Sequence, residues 1–524
     1  MARYSSTILC RLSFYGEEEK KMKYFLGLDL GTGGIKSVLF DQNGKEITFA
    51  LQEYPLYQPY NGWAEQEPED WYNAAVATIR KVVKQADVPA EAIIGIGIAG
   101  QMMGAVLLDG NGEPLRKAIL WNDQRTGEAT KAMAERVGAD RMLKVTCNPP
   151  REGLTAAKIF WVEQNEPEVF AQTAHILLPK DYVRYRLTGE FATEVSDASA
   201  TQLLDTPGRC WSDEMMAALD IAPGMLPKVY ESYQITGTLR PEVARAVGLS
   251  EKVVVVGGAG DNAAASVGTG VVAAGRAMTT IGTSGVVFAF TNRPALDPKG
   301  RVYTFCTAVP DAWHMMGLVN SAGLSLKWWR NGFYPDDEDY LQIDKEIAKS
   351  PIGANHLIYN PYLMGEASPY WDVNARGSFV GLSAIQTRKD LTRAVMEGIT
   401  FALKESMDIY REIGVDPKVM RMCGGGSKAP IWRQMMADIY NIPVALPAGV
   451  SENSAALGAA ILAMVGTGTY SDVPTACDQI VSLRDEQYLP NSDASAKYEK
   501  LAKIYRKVYP ALQDIYRDLR NLEL

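Results

Sequence analysis

Tyr24-Phe-Leu-Gly-Leu-Asp-Leu-Gly-Thr-Gly-Gly-Ile-Lys-Ser-Val-Leu-Phe-Asp41 and Met278-Thr-Thr-Ile-Gly-Thr-Ser-Gly-Val-Val-Phe-Ala-Phe290 are two versions of one pattern. Each is an apolar run, then Gly-Thr-x-Gly, then a second apolar run. An apolar run broken by a short Gly-rich turn reads as a hairpin. Glycine at the turn admits positive φ and lets another group approach the backbone. Successive N–H groups in such a turn form a concavity suited to phosphate. One such hairpin alone reads as plain structure. Two of them, about 250 residues apart, point to a duplicated fold that grips one phosphorylated ligand from two sides.

The rest of the chain narrows the class. A length of 524 residues suggests two to four domains. Its 47% hydrophobic and 22% charged residues are ordinary for a soluble globular protein. A net charge of −9 opposes a nucleic-acid surface. Six scattered cysteines without CxxC read as reduced residues of a cytoplasmic chain. Three histidines leave little for a His-based metal site or triad. No apolar run approaches the ~18 residues of a membrane span. Residues 1–22 do not fit the rest of the chain: the apolar stretch Ile8–Leu12 is too short for a signal segment, and Glu17-Glu-Glu-Lys-Lys21 suits no transit peptide. We expect them to be a non-core extension, with the natural start at Met22.

From Tyr24 the chain reads as a meander of three strands, the first ending at Asp29. Asp29, just before the Gly turn, reads either as a turn-capping carboxylate or as the holder of a hydrated magnesium ion, which often takes only one or two protein carboxylates. Pro68–Ala86 has helical periodicity along Trp71, Ala74, Ala75, Thr78, Ile79 and Val82. Gly95-Ile-Gly-Ile-Ala-Gly100 has the letters of a dinucleotide-binding turn, but its glycines fall inside a strand-like run. Small residues against a closely packed neighbour are the better reading. A P-loop and the protein-kinase motifs HRD and DFG are absent. Leu120-Trp-Asn-Asp-Gln-Arg-Thr126 sets an aromatic beside amide, acid and guanidinium, a mixture suited to a sugar or to an unremarkable loop. Pro179 is expected to open a helix.

Lys252–Val256 reads as a buried strand, followed by Gly257-Gly-Ala-Gly-Asp-Asn-Ala-Ala-Ala-Ser266, a Gly-rich turn into a small-residue helix. Asp261 at that helix start is an ordinary cap or the strongest catalytic candidate, since the glycines preceding it admit a ligand. Around residue 270 the pattern restarts, which divides the chain into 23–270 and 271–524. Ser321–Arg330 starts a helix, and Arg421-Met-Cys-Gly-Gly-Gly-Ser427 leads a strand through three glycines into another, a geometry that suits a nucleotide or simply tight packing. Tyr498, Leu501, Tyr505, Val508, Leu512, Ile515 and Leu519 share a helix face in the tail, with Pro510 expected to kink it. That face reads as packing, with a homodimer contact as the weaker alternative.

Taken in order, several motifs resemble the FGGY carbohydrate kinases, and among them the bacterial xylulokinases. They are Gly27-Leu-Asp-Leu-Gly-Thr-Gly-Gly34, Ile98-Ala-Gly-Gln-Met-Met-Gly104, Ile119-Leu-Trp-Asn-Asp123, Leu177-Leu-Pro-Lys-Asp-Tyr182, Gly260-Asp-Asn-Ala-Ala264, Gly282-Thr-Ser-Gly285 and Gly424-Gly-Gly426. The resemblance implies an α/β, two-domain, actin-like (ribonuclease-H-like) fold with mixed five-stranded sheets around a cleft. The N-terminal domain would hold the sugar and the first phosphate hairpin, the C-terminal domain the nucleotide. It implies transfer of the ATP γ-phosphoryl to a sugar hydroxyl, in xylulokinases the C5 hydroxyl of D-xylulose. By it Asp261 matches the base, and Asp29 the other essential acid, near Mg²⁺ and meeting it through water. Met102, Met103, Trp121 and Asn262 fall on sugar contacts. Thr32, Gly282 and Thr283 fall by the phosphates, and Gly323, Gly425 and Gly426 by the adenosine. One departure stands out. The usual pair is Met-His where this chain has Met102-Met103, and a thioether cannot donate to a sugar hydroxyl. Another ketopentose, polyol or sugar acid therefore stays open as acceptor. A non-transferring ATPase of the same fold would need neither Trp121 nor Asp261, and a silent sugar sensor would be expected to lack Asp29 or Asp261.

Overall fold

The computed structural model describes residues 22–335, 339–448 and 453–522. Of the expected extension, residues 1–21 lie outside the described residues.

The first half is built on β1 (Tyr24–Leu30), β2 (Gly34–Asp41), β3 (Glu46–Glu53), β4 (Ile93–Gly100), β5 (Ile235–Thr238), β6 (Val254–Val256) and β7 (Ala259–Gly260). They form one sheet of order β5-β6-β4-β1-β2-β3, with β7 also on β4. The meander β1–β2–β3 is antiparallel, and β4 lies parallel to β1, β6 and β7. The second half uses β8 (Arg276–Ile281), β9 (Gly285–Thr291), β10 (Tyr303–Cys306), β11 (Trp313–Val319), β12 (Val419–Cys423), β13 (Val444–Pro447) and β14 (Leu483–Tyr488). Their order is β10-β11-β9-β8-β12-β13-β14.

The two sheets repeat one plan. β3-β2-β1-β4-β6 corresponds strand for strand to β11-β9-β8-β12-β13, with an antiparallel edge strand, β5 or β14, beyond each. Each sheet has seven strands, not the five expected. The additions are β5 and β10, of four residues each, the two-residue continuation β7, and the edge strand β14, whose Leu483-Arg-Asp-Glu-Gln-Tyr488 is exposed along its middle and has no alternating pattern to register.

Helices cover the sheets. In the first half these include α1 (Pro68–Gln85), α2 (Pro179–Thr188) and α3 (Asp261–Gly268). In the second they include α4 (Ala322–Phe333), α5 (Arg388–Glu412), α6 (Pro430–Tyr440), α7 (Ser454–Gly466) and α8 (Ser492–Asn521). α1 buries Trp71, Ala74, Ala75, Ile79 and Val82 against one face of the first sheet. The other face is covered by α7, which comes from the far end of the chain. α7 is apolar all round because it is enclosed on every side. A Cβ on Gly27 or Gly97 would stand 1.9 Å from the carbonyl oxygen of Ala456 or Ala459, so the helix backbone lies directly on β1 and β4. That accounts for the glycines of Gly95–Gly100: they admit a helix, not a nucleotide. α7 crosses α3 equally closely, at Gly458 and Gly268. One apolar core runs from Phe25 and Val38 on the first sheet, through α3 and α7, to Met278, Phe288 and Phe290 on the second.

The tail helix α8 packs on the second half through Tyr498, Tyr505, Tyr509 and Tyr516. Leu501 and Leu512 pack beside them, whereas Ile515 and Leu519 are exposed. Near and beyond Pro510 the buried stripe passes to Tyr509 and Tyr516, which bury their rings while their hydroxyls reach Asp372 and Ser378.

Candidate active site

β1, β4 and β7 run parallel, so their carboxyl ends lie side by side, where open α/β sheets bind ligands. Asp29 sits near the end of β1, opposite Ala99 of β4, which in turn faces Ala259 of β7. Asp261 follows directly as the first residue of α3, and the capping position belongs to Gly260, not to Asp261. Two strand spacings, about 10 Å, separate the two backbones, and Asp261 feels the charge of Asp29. Burial, and then the charge of Asp29, push Asp261 up to about 7. Burial pushes Asp29 up to about 6, against the pull of Lys36, its register partner on β2. Asp261 Oδ1 accepts from the Asn262 backbone N–H at 2.6 Å and from Asn262 Nδ2 at 2.8 Å, which fixes one oxygen and leaves Oδ2 without a hydrogen bond among the described residues.

The two Gly-Thr turns are held alike. In the first, the Tyr54 hydroxyl donates to Gly31 O and Gln66 Nε2 donates to Thr32 O at 2.7 Å. In the second, the first turn of α4 takes that part: Gly323 N and Leu324 N donate to Gly282 O and Thr283 O, each at 3.0 Å. The carbonyls are drawn back, and the N–H groups of Thr32, Gly33, Thr283 and Ser284 have no backbone partner among the described residues. Both turns thus present anion-binding N–H groups.

Gly282, Thr283, Gly323, Gly425 and Gly426 line one cavity of about 710 Å³ with Leu324, Lys327, Tyr340 and Trp432. The size suits a nucleotide. The glycines have separate reasons. A Cβ on Gly323 would lie 2.1 Å from Gly282 O, and one on Gly426 would lie 2.8 Å from Ile281 Cβ, so these two allow packing. Gly425 has only one atom within 4 Å of its would-be Cβ, so its bare backbone faces open space.

On the acceptor side, Trp121 is half exposed and its Nε1 donates to Thr32 Oγ1 at 3.0 Å. Thr32 Oγ1 donates to Gln101 Oε1 at 3.2 Å, Gln101 Nε2 to Gln66 Oε1 at 3.0 Å, and Trp71 Nε1 to the same oxygen. Trp121 and the first Gly-Thr turn are therefore one hydrogen-bonded unit. Gln66 carries no signature in the sequence, and Gln101, though inside the motif Ile98–Gly104, shows no role there, because the partners of both are remote in the chain. Asp123 and Arg125, part of the mixture that suits a sugar, are spent on each other: they pair at 2.7 Å, both fully buried, and Arg125 also meets Glu65 and stacks on Trp63. They brace the loop that carries Trp121.

Met102 and Met103 are buried with Leu154, Tyr303, Phe305 and Met316, so residues of both halves meet there. A Cβ on Gly260 would touch Met102 Sδ at 2.7 Å, which sets Met102 beside the turn that leads into Asp261. Met103 holds a left-handed backbone, φ 68°. Arg151, missed in the sequence, stacks on Trp371 at 3.9 Å and donates to Gly300 O, close to the same apolar group.

Residues 24–268 match the N-terminal domain, and residues 277–467 the C-terminal domain, of the FGGY family of carbohydrate kinases. The chain belongs to that family. Its structure is the two-domain actin-like fold of FGGY kinases. It is 39% identical over 500 residues to a xylulose kinase of Bacillus subtilis, covering 95% of this chain and 99% of that one. The crystal structure of a "xyloylose kinase" from Brucella ovis superposes with a TM-score of 0.87 at 36% identity, covering 94% and 100% of the two chains. That of a ligand-bound xylulose kinase from Lactobacillus acidophilus does so with a TM-score of 0.90 at 28% identity, covering 95% and 100%. As an FGGY kinase the chain is an enzyme that uses ATP to phosphorylate a carbohydrate. Among the described residues no helix is long and apolar enough to cross a membrane.

Proposed function

We propose that the chain phosphorylates D-xylulose at its C5 hydroxyl, giving D-xylulose 5-phosphate and ADP in the cytoplasm. The observation that carries this is the Asp29–Asp261 pair beside the first Gly-Thr turn, in a chain closely similar to xylulose kinases, with the second Gly-Thr turn lining a cavity of nucleotide size. In this reading the nucleotide lies in the cavity by Gly425 and Gly426, with Gly323 behind it. Its phosphates reach Gly282 and Thr283 from one side and Thr32 from the other. The sugar lies over Trp121 beside Met102, Met103 and Asn262.

Asp261 accepts the proton as the C5 oxygen bonds to the γ-phosphorus, and the bridging P–O bond breaks with its electron pair leaving on ADP. A carboxylate is a weak base for an alcohol. In a loose phosphoryl-transfer transition state, however, the nucleophile needs orientation and a late proton acceptor rather than prior ionisation. A site at about 7 is better matched to that task than an ordinary carboxylate. Asp29 also fits Mg²⁺: it is one buried carboxylate beside the first Gly-Thr turn, and Mg²⁺ often takes only one or two from the protein. Asp29 would hold the ion through its water, as Mg²⁺ allows, and the ion would neutralise phosphate charge.

Met103 favours a second reading, in which the acceptor is another ketopentose, a polyol or a sugar acid. ADP release from Mg-ATP across a panel of these, with a no-acceptor control, decides. Strong turnover with D-xylulose is expected. Turnover only with another acceptor keeps the mechanism and changes the sugar. Release that no acceptor increases overturns the kinase reading.

A further inference from the structure

Beneath the turn that carries Asp261 lies a cluster of charge with no access to water. Lys180 and Arg184 of α2, with Asp181, Glu194 and Asp197, all have side chains 1% exposed or less. Lys180 Nζ is 2.7 Å from Asp181 Oδ1 and 3.3 Å from both Glu194 Oε1 and Asp197 Oδ2. Arg184 Nη2 is 3.0 Å from Asp181 Oδ1. Three acids face two bases. Burial drives the Asp197 carboxyl well above its ordinary range, against the pull of Lys180.

Burying so many charges is expensive, and apolar residues of similar volume commonly serve stability as well or better. The cluster therefore calls for a use other than stability, and its connections supply one. Arg184 Nη1 donates to Gly257 O at 3.1 Å. Glu194 accepts from the hydroxyls of Ser196 at 2.9 Å and Ser232 at 2.7 Å. Ser196 Oγ accepts the Gly260 N–H at 3.0 Å, and Ser232 O accepts the Gly258 N–H at 2.9 Å. Three of the four residues that lead into Asp261 are thus fastened to one rigid body. Gly100, at the end of β4, leaves room for Lys180, whose Cβ would stand 2.7 Å from an added methyl. The same body thereby abuts the strand that delivers Gln101, Met102 and Met103.

We propose that Ser196, seated on the Glu194 carboxylate that pairs with Lys180, is a positioning residue that holds Gly260 and so fixes the aim of the Asp261 carboxylate at the acceptor hydroxyl. The inference rests on Asp261 being the proton acceptor. An unfastened run of three glycines and an alanine would let that carboxylate wander, and small misplacements cost large factors in rate.

The test is Ser196→Ala in the full chain, alone and combined with Asp261→Asn, with steady-state kinetics over pH and a thermal melt. Alone it is expected to lower kcat at least tenfold, to leave KM for ATP and sugar within about twofold, and to move the acid limb of kcat/KM to lower pH as Asp261 gains access to water. On top of Asp261→Asn it is expected to cost little more, because its effect passes through that carboxylate. An unchanged kcat, an unmoved acid limb, or full additivity with Asp261→Asn overturns the proposal. An Asp261→Asn enzyme that stays active overturns instead the assignment of the base. If Ser196→Ala does not fold, Ser232→Ala, which removes a second donor from Glu194, is judged by the same three readouts.

Discussion

Asp261 and Met103 carry the sharpest consequences at the scale of single residues. Asp261→Asn keeps shape and removes the base, so transfer should fall by several orders of magnitude with KM nearly unchanged; retention of more than about a tenth of the rate shows that Asp261 is not the base. The same variant has a stability signature. A carboxyl at about 7 in the folded chain and 3.8 when unfolded binds its proton more tightly in the folded state, so stability falls as pH rises between those values. Asp261→Asn should therefore melt above the parent at pH 8, with the gap closing toward pH 4; equal melting at pH 8 counts against the raised value. Activity should fall on the acid side with an apparent pKa near 7 that belongs to the Asp29–Asp261 pair. At Met103, histidine restores a donor and tolerates the left-handed backbone better than most side chains. One regained hydrogen bond, on the order of 1 kcal/mol, should raise kcat/KM for D-xylulose about fivefold; no gain means that Met103 is not what the sugar meets. Asp29 and Asp261 were legible as candidates because each is an acid beside a Gly turn. Asp123 and Arg125 stayed ambiguous because composition does not say whether an acid and a base meet a ligand or each other. The bracing role of Gln66 and Gln101 was not legible, even with Gln101 inside a recognised motif, because their partners are supplied by tertiary structure.

Elements show the same division between signals that are local and signals that are not. Both hairpins, α1 and the strand–glycine–helix passage into α6 follow from periodicity and glycine placement alone. The role of α7 does not: a helix apolar on all faces announces burial without naming its neighbour. Glycines sort the elements experimentally. Gly97→Ala drives a methyl into the Ala459 carbonyl, a backbone atom that no rotamer change can move, and should cost about 3 kcal/mol or more. Gly33→Ala meets nothing within 4 Å, and its stability should stay within about 0.5 kcal/mol of the parent while KM for ATP rises, because the new methyl stands at the phosphate turn. Denaturant titration and initial rates on the two variants separate the roles; a stable Gly97→Ala would mean that α7 can lift from the sheet.

Across the whole molecule, α3 and α7 form the joint between the duplicated sheets, in one apolar core that reaches both. A sugar hydroxyl must outcompete water for ATP, so closure about that joint is expected when both ligands bind. Small-angle scattering with ADP and sugar should show a smaller radius of gyration than the free enzyme; an unchanged profile argues against closure. The duplication was legible because the two Gly-Thr hairpins repeat, and the second sheet opens with β8 at Arg276. A division of the chain there nevertheless hides one connection: the strip of the first sheet around Gly27 and Gly97 is roofed by residues 454–466. During synthesis that roof arrives late. At about 5–20 residues per second, the ribosome needs on the order of 10–40 s to travel from α3 to the end of α7. For that interval the nascent first half carries a bare, glycine-lined apolar face.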